Sequence, residues 1–370
     1  MKKVWLSLLL VVLCTGMFMA QDTVKIGVVY SMTGGVSAFG RMTWDGVEIA
    51  NELFPEVLGK KIELVLIDDK SDKVEAANGV RRAIEQENVV AILGNITSGN
   101  TLAGSAVAEE LKVPMVSSSA TNPLVTQGKN YMNRVCFSDP FQGWAGAKLA
   151  AELGYTSVAV FVDVEQDYAV ALANYFEDTY KADNGNMFYE YYKTGDQDFT
   201  AQVLDAMAKG AEAFYIPGYY QEIALIAMQA RQNGFYGDFI TGDGADAPET
   251  LEIGGDAVEG LFFTGHYHSD SPAFTEYAKM YVNAYENKFD GQKSPSFAGL
   301  GFDAYMVLRD AIERAGSTDP EKIKNALRET KSFPGATGYI NINENGDAVK
   351  SVTIVRVEDG KFAYDSMINP

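Results

Sequence analysis

Val24-Lys25-Ile26-Gly27-Val28-Val29-Tyr30, then Ser31, Thr33, Gly34 and Gly35, then a helical pattern from about Thr43 to Phe54, decide the fold. The first run is short, apolar and rich in β-branched residues, which reads as a buried strand. Ser, Thr and Gly then mark a turn. Trp44, Val47, Ala50, Leu53 and Phe54 recur at helical spacing. The same alternation continues outward. Ile62 to Ile67 reads as a strand, Val74 to Gln86 as a helix with Asp72 as its N-cap, and Val89 to Leu93 as a strand. Thr101 to Leu111 reads as a helix and Val113 to Val116 as a strand. Strands this continuously apolar are covered on both faces, so a parallel sheet with helices on each side is expected.

A second run follows the same scheme. Helices are expected over 142–153, 170–180, 199–209 and 221–233, with strands over 157–162, 187–192, 213–216, 239–241 and 258–264. Longer helical patterns cover about Ala273 to Lys288, Phe297 to Ala315 and Pro320 to Thr330. The tail alternates short strands, Tyr339 to Ile342, Val352 to Val357 and Phe362 to Tyr364, with Asn345-Gly346 and Asp359-Gly360 turns, which predicts a closing β-meander. The fold class is α/β, two doubly wound parallel-sheet lobes with no Pro/Gly/Ser-rich linker between them. An inter-lobe cleft is the expected ligand site, because guests in such sheets lie beyond the carboxyl ends of the strands.

Composition bounds the function. The chain has 370 residues, enough for about two domains. Its net charge is −20, from 30 Lys+Arg and 50 Asp+Glu, which repels nucleic-acid backbones and anionic lipid. Two histidines and two cysteines exclude iron–sulfur clusters, multi-zinc modules and a disulfide scaffold. Met1 to Ala20, with Lys2 and Lys3 before the apolar run Val4 to Leu13, reads as a secretory signal peptide cleaved after Ala20. Lipid attachment at Cys14 is not expected, because Leu13 stands where a small residue is needed. The mature chain then keeps one cysteine, Cys136, read as a buried free thiol.

Catalytic constellations are lacking. His266 and His268 are read as surface histidines at a strand end, with no third ligand nearby for a metal. There is no Gly-x-Ser-x-Gly elbow and no phosphate-binding loop, and the Thr33-Gly34-Gly35 turn with Gly40 misses the dinucleotide spacing. Asp68-Asp69 ends a strand and reads as an acidic pair in contact with solvent or a helix N-terminus, not as an acid/base pair. Neither enzyme activity nor a cofactor is expected.

Small polar loops carry more. Gly94-Asn95-Ile96-Thr97-Ser98-Gly99 and Ser117-Ser118-Ser119-Ala120-Thr121-Asn122-Pro123 each follow a strand and offer hydroxyls and backbone N–H groups, suited to a carboxylate. Thr241-Gly242-Asp243-Gly244 follows a strand of the second run and supplies an acid. Phe39, Tyr168, Tyr219 and Tyr220 sit at comparable places. A carboxylate cradle, an opposing acid and aromatic walls suit a zwitterionic amino acid.

With these motifs the chain resembles the leucine/isoleucine/valine-binding proteins, type I periplasmic substrate-binding proteins of branched-chain amino-acid ABC transporters. The most specific marks are Ala120-Thr121-Asn122-Pro123 and Gly218-Tyr219-Tyr220, joined by Thr33-Gly34, Phe39-Gly40, Asp68-Asp69, Asp198-Phe199 and Phe302-Asp303-Ala304. The resemblance implies that Ser98 binds the ligand carboxylate and that Ser119, Ala120 and Thr121 grip carboxylate and ammonium. It implies that Asp243 faces the ammonium, and that Phe39, Tyr168, Tyr219 and Ser296 or Phe297 surround the guest. Ser71 and Thr97 stand where familiar members carry a disulfide, so that bond is absent here. The implied lobes are 22–140 with 268–349, and 141–267 with 350–370. They would close by a hinge around an amino acid, branched-chain or otherwise aliphatic, and present it to a membrane permease as a monomer. A sensory ligand-binding protein would share this pocket, and relatives of the fold take aromatic amino acids, short amides or urea.

Overall fold

The computed structural model describes residues 23–182, 185–271 and 275–370. The predicted leader Met1 to Ala20, with Cys14, lies outside the described residues.

Six strands, numbered in chain order, form the first sheet: β1 (Val24–Tyr30), β2 (Glu56–Val57), β3 (Lys60–Asp68), β4 (Ala91–Gly94), β5 (Met115–Ser117) and β6 (Met132–Arg134). Their spatial order is β2-β3-β1-β4-β5-β6. All pairings are parallel except the short β2–β3 edge. Alternate residues of β1 enter different cores: Ile26, Val28 and Tyr30 face one, while Val29 joins Val80, Ala83 and Val107 in another. That two-sided burial is why β1 reads as an unbroken apolar run.

The second sheet repeats the plan with β7 (Ser157–Asp163), β8 (Asn186–Tyr192), β9 (Ala213–Ile216), β10 (Asp238–Thr241) and β11 (Phe262–Gly265). Beyond them the chain forms β12 (Phe333–Gly335), β13 (Gly338–Ile342), β14 (Ala348–Val349), β15 (Val352–Glu358) and β16 (Lys361–Ile368). The second sheet runs β16-β15-β11-β10-β9-β7-β8. Both sheets therefore place their first long strand between the second and third, the order that opens a crevice at the carboxyl edge.

Eleven helices flank these sheets among the described residues: α1 (Ser37–Leu53), α2 (Lys73–Glu85), α3 (Ser98–Leu111), α4 (Asp139–Glu152), α5 (Asp167–Ala182), α6 (Thr200–Ala208), α7 (Tyr220–Gln232), α8 (Pro248–Gly254), α9 (Glu276–Lys288), α10 (Ser296–Ala315) and α11 (Pro320–Arg328). Asp72 caps α2 by accepting from the N–H groups of Val74 and Glu75 at 2.8 and 2.9 Å, as its sequence position predicts.

Two expectations are corrected. Helix α1 starts at Ser37, six residues before the expected Thr43. Gly40 belongs to that helix: a Cβ there would lie 2.0 Å from the Ser31 carbonyl oxygen, so the glycine lets the helix press on the loop after β1. The tail is not one meander. Strands β12, β13 and β14 make a separate three-stranded sheet, whereas β15 extends the second sheet antiparallel to β11 and β16 pairs antiparallel with β15. Alternating polarity marks a half-buried strand but does not say which sheet edge will take it. Asp303 on α10, one of the resemblance marks, serves the fold: it is fully buried and accepts from the Thr337 N–H at 3.0 Å.

Candidate functional site

Loops from the carboxyl ends of both sheets meet around one hollow. It is lined by Phe39, Ile96, Thr97, Ser98, Ser119, Thr121, Tyr168, Tyr219, Asp243, Gly244 and Phe297. Of the residues expected at the site, Phe39, Ser98, Ser119, Thr121, Tyr168, Tyr219, Asp243 and Phe297 are on that wall, and Ala120, Tyr220 and Ser296 are not. Ala120 is buried behind it, with its carbonyl accepting from Arg134 Nη1 at 2.9 Å and its N–H donating to Ser117 Oγ at 3.2 Å.

From the first sheet come Phe39, in the first turn of α1, and the loops after β4 and β5. Ser98 opens α3, and its Oγ accepts from the Asn122 N–H at 3.2 Å, which ties the two loops together. Thr97 occupies the N-cap position of α3 but its side chain makes no capping bond. The first N–H groups of a helix have no intrahelical acceptor, so this uncapped end is electropositive and open to an anion. Ser119 donates to the Ile96 carbonyl at 2.9 Å, and the Thr121 hydroxyl is buried with no partner among the described residues. Asn95 braces the loop from behind by donating to Asp69 at 2.9 Å. Asp69 also accepts from Ser31 Oγ at 2.6 Å, and Asp68 accepts from the Met32 N–H at 2.9 Å. Neither acid lines the hollow: Asp69 braces the loop after β4, and Asp68 holds the loop after β1.

The second sheet contributes Tyr168 from the start of α5, Tyr219 just before α7, and Asp243 after β10. Tyr168 and Tyr219 stack at 5.4 Å, Phe39 stacks on Phe297 at 4.4 Å, and Phe39 meets Tyr219 edge-on at 5.8 Å. Such contacts between four large rings make a stiff apolar box. Asp243 is 4% exposed. Its Oδ1 accepts from Gln142 Nε2 and Tyr168 Oη, both at 2.8 Å, and its Oδ2 faces His266 Nε2 at 2.9 Å.

His266 corrects the sequence reading, which put it on the surface. The residue is 2% exposed, with its ring 3.9 Å from that of Phe137. Burial holds its pKa below the ordinary imidazole value, against the opposing pull of Asp243. A neutral imidazole has a single N–H, and the carboxylate fixes it at Nε2. His268 is half-buried, with Nε2 set 3.2 Å from the Phe362 carbonyl oxygen. Nothing in residue type announced the His266–Asp243 pair. The available signal was placement: His266 directly follows β11, next in the sheet to β10, which ends two residues before Asp243. Two further buried acids surround the site. Burial pushes Asp139 up to about 8, with Asp243 adding to the rise. Asp246, hydrogen-bonded to Ser296, is pushed up to about 7 for the same main reason. Cys136 is a free buried thiol pushed up to about 12 by burial, which leaves it inert as a nucleophile near neutral pH.

The hollow is tight. Only about 20 Å³ is open to the centre of a water molecule, within about 250 Å³ of atom-free space. Bonds across the gap hold it so: Tyr220 Oη donates to the Gly35 carbonyl at 2.7 Å, Asn122 Nδ2 to the Asp167 carbonyl at 3.0 Å, and Lys73 pairs with Asp167 at 2.7 Å. A guest larger than water needs the two sheet bodies to part.

Two doubly wound bodies facing each other across a polar-ended, aromatic-walled hollow define a binding protein of the two-lobed kind. The family model for the periplasmic binding proteins matches residues 23–361, and the chain belongs to that family of solute-binding transport components. It is 30% identical over 336 residues to the leucine-, isoleucine-, valine-, threonine- and alanine-binding protein of Pseudomonas aeruginosa, covering 89% of this chain and 88% of that one. The crystal structure of a leucine binding protein, LivK, from Thermotoga maritima superposes with a TM-score of 0.92 at 53% identity, over 94% of this chain and 99% of that one. The branched-chain amino acid transporter substrate binding protein LivJ of Streptococcus pneumoniae, in complex with isoleucine, gives 0.87 at 29% identity, over 94% of this chain and all of that one. Among the described residues no helix is long and apolar enough to cross a membrane.

Proposed function

We propose that this protein captures a branched-chain amino acid, leucine first, in the inter-lobe hollow and hands it to the permease of an ABC transporter outside the cytoplasm. The observation that carries this is the placement of opposite polar ends on opposite bodies: Ser98 and Thr121 with the uncapped start of α3 on one, Asp243 on the other. In this reading Ser98, Ser119 and Thr121 receive the carboxylate. Asp243 receives the ammonium, and Phe39, Tyr168, Tyr219 and Phe297 enclose the aliphatic side chain. The similarity to the leucine binding protein of Thermotoga maritima supports leucine over a larger aromatic guest.

The lobes are 22–140 with 268–349 and 141–267 with 350–370, a division supported by β1–β6 sharing one sheet, by β7–β11 with β15 and β16 sharing the other, and by the packing of α10 on α1. Met1 to Ala20 is removed on export, and the mature chain works as a monomer. It performs no catalytic step: binding and closure are the whole mechanism. Closure strips water from the ion contacts and so strengthens them. Titration calorimetry with leucine and leucine methyl ester tests this. Leucine binds and the ester, lacking the anionic end, does not. Equal affinities would remove the carboxylate cradle.

A further inference from the structure

A second cavity lies where the chain passes between the bodies, walled by α1, α9 and the start of α10 on one side and by β11, β15 and β16 on the other. It is far roomier than the hollow: about 390 Å³ is open to the centre of a water molecule, against about 20 Å³. That volume is in the range of small-molecule sites. Aromatic side chains from both bodies line it. Phe263 meets Phe362 edge-on at 5.1 Å, and Tyr285 lies 4.5 Å from Phe289.

Two acids stand in its wall among polar groups that are mostly paired already, His268 with the Phe362 carbonyl, Ser294 with Tyr281 and Ser296 with Asp246. Asp45 and Asp246 both line it. The cations whose fields reach Asp45 are committed elsewhere, Lys288 to Glu48 and Glu52, and Arg41 to Glu249. Lys293, in the same wall, is paired with Asp270 at 2.7 Å. Tyr267 is 4% exposed, lines the cavity, and its hydroxyl has no hydrogen-bond partner among the described residues. Rings from both bodies together with the carboxyl of Asp45 match an organic cation that carries an apolar body.

We infer that this cavity is a second ligand site, taking a small aromatic or aliphatic amine, and that its occupancy favours the closed form. The coupling follows from two local links. Asp246 hydrogen-bonds Ser296, the neighbour of Phe297, and its N–H donates to the Asp243 carbonyl at 3.0 Å. An occupant that fits the cavity as it stands with the bodies closed stabilises closure, and by reciprocity tightens whatever the hollow holds. The amine site stands apart from the leucine reading; the coupling rests on it.

Methyl-¹³C methionine NMR of the full mature chain with 2-phenylethylamine tests the site, because Met42 is in its wall and not in that of the hollow. The Met42 resonance shifts saturably, with or without leucine, and Asp45→Asn weakens the effect about tenfold while leucine affinity without amine stays as in the wild type. The neutral 2-phenylethanol binds much more weakly. Leucine affinity, read by calorimetry, rises about fivefold or more at saturating amine, the low end of ordinary coupling. No Met42 shift, an amine effect abolished by leucine, or equal binding of the alcohol overturns the site. A Met42 shift with unchanged leucine affinity overturns the coupling alone. Failure of leucine itself to bind overturns the earlier reading and leaves the amine result standing.

Discussion

Asp243 is held by three donors before any guest arrives: Gln142, Tyr168 and His266. An ionised carboxylate has roughly four acceptor directions, so about one is left for an ammonium. The cage fixes where that direction points. Asp243→Ala removes the acceptor and leaves the guest's cation buried and unpaired, so leucine binding weakens by about 2–5 kcal/mol in calorimetry; wild-type affinity in this variant would reject the assignment. Asp139 supplies a test of burial. Its carboxyl titrates near 8 folded, against an ordinary 3.8. Between those values the native state holds a proton that the unfolded chain has lost, so this group's stabilisation is full below about pH 4 and is lost as pH rises toward 8. Asp139→Asn does not titrate. Its stability relative to wild type therefore climbs between pH 5 and 8, by at most about 1.4 kcal/mol per pH unit. A difference in Tm that is flat with pH would contradict a proton on Asp139.

At the scale of elements, the site depends on how α1 and α3 begin. Helix α3 starts without a side-chain cap, which leaves its first N–H groups available to an anion. Helix α1 starts early because Gly40 lets it touch the Ser31 carbonyl, and that contact sets Phe39 against Phe297. Gly40→Ala drives a methyl into backbone that cannot move aside. The expected cost is about 1–3 kcal/mol, seen as a lower Tm, together with weaker leucine binding as Phe39 shifts. A variant as stable as wild type would show that the approach is looser than described. The sequence made strands β1, β7 and β9 and the Asp72 cap legible, since each depends on its own few residues. The early start of α1 was hidden, because Gly and Ser near a turn signal a loop unless the partner backbone is known.

For the whole molecule, the contacts across the gap include Tyr220 with Gly35, Asn122 with Asp167, Lys73 with Asp167, Arg41 with Glu249, Ser296 with Asp246, and the edge-on meeting of Phe39 with Tyr219. The half-exposed Lys73 pair contributes little in salt, and a neutral hydrogen bond about 1 kcal/mol. A guest held by groups of both bodies adds to these contacts and so favours closure. Small-angle scattering should show a smaller radius of gyration with leucine than without. Leucine held at 100 times its Kd should add about 2.7 kcal/mol of stability, read as a higher Tm. An unchanged radius would deny closure on binding.

Taken alone, the sequence determined the two runs of strands and helices, the loops bearing Ser98, Thr121 and Asp243, and the aromatic residues near them. Each of those readings rests on local periodicity or on residues beside a strand end, which the chain carries in order. Only the tertiary structure decided that His266 is buried against Asp243, that Ala120 lies behind the wall, and that the last strands divide between two sheets. Those outcomes arise from contacts between residues far apart in the chain, where burial and partner geometry, not residue type, set the result.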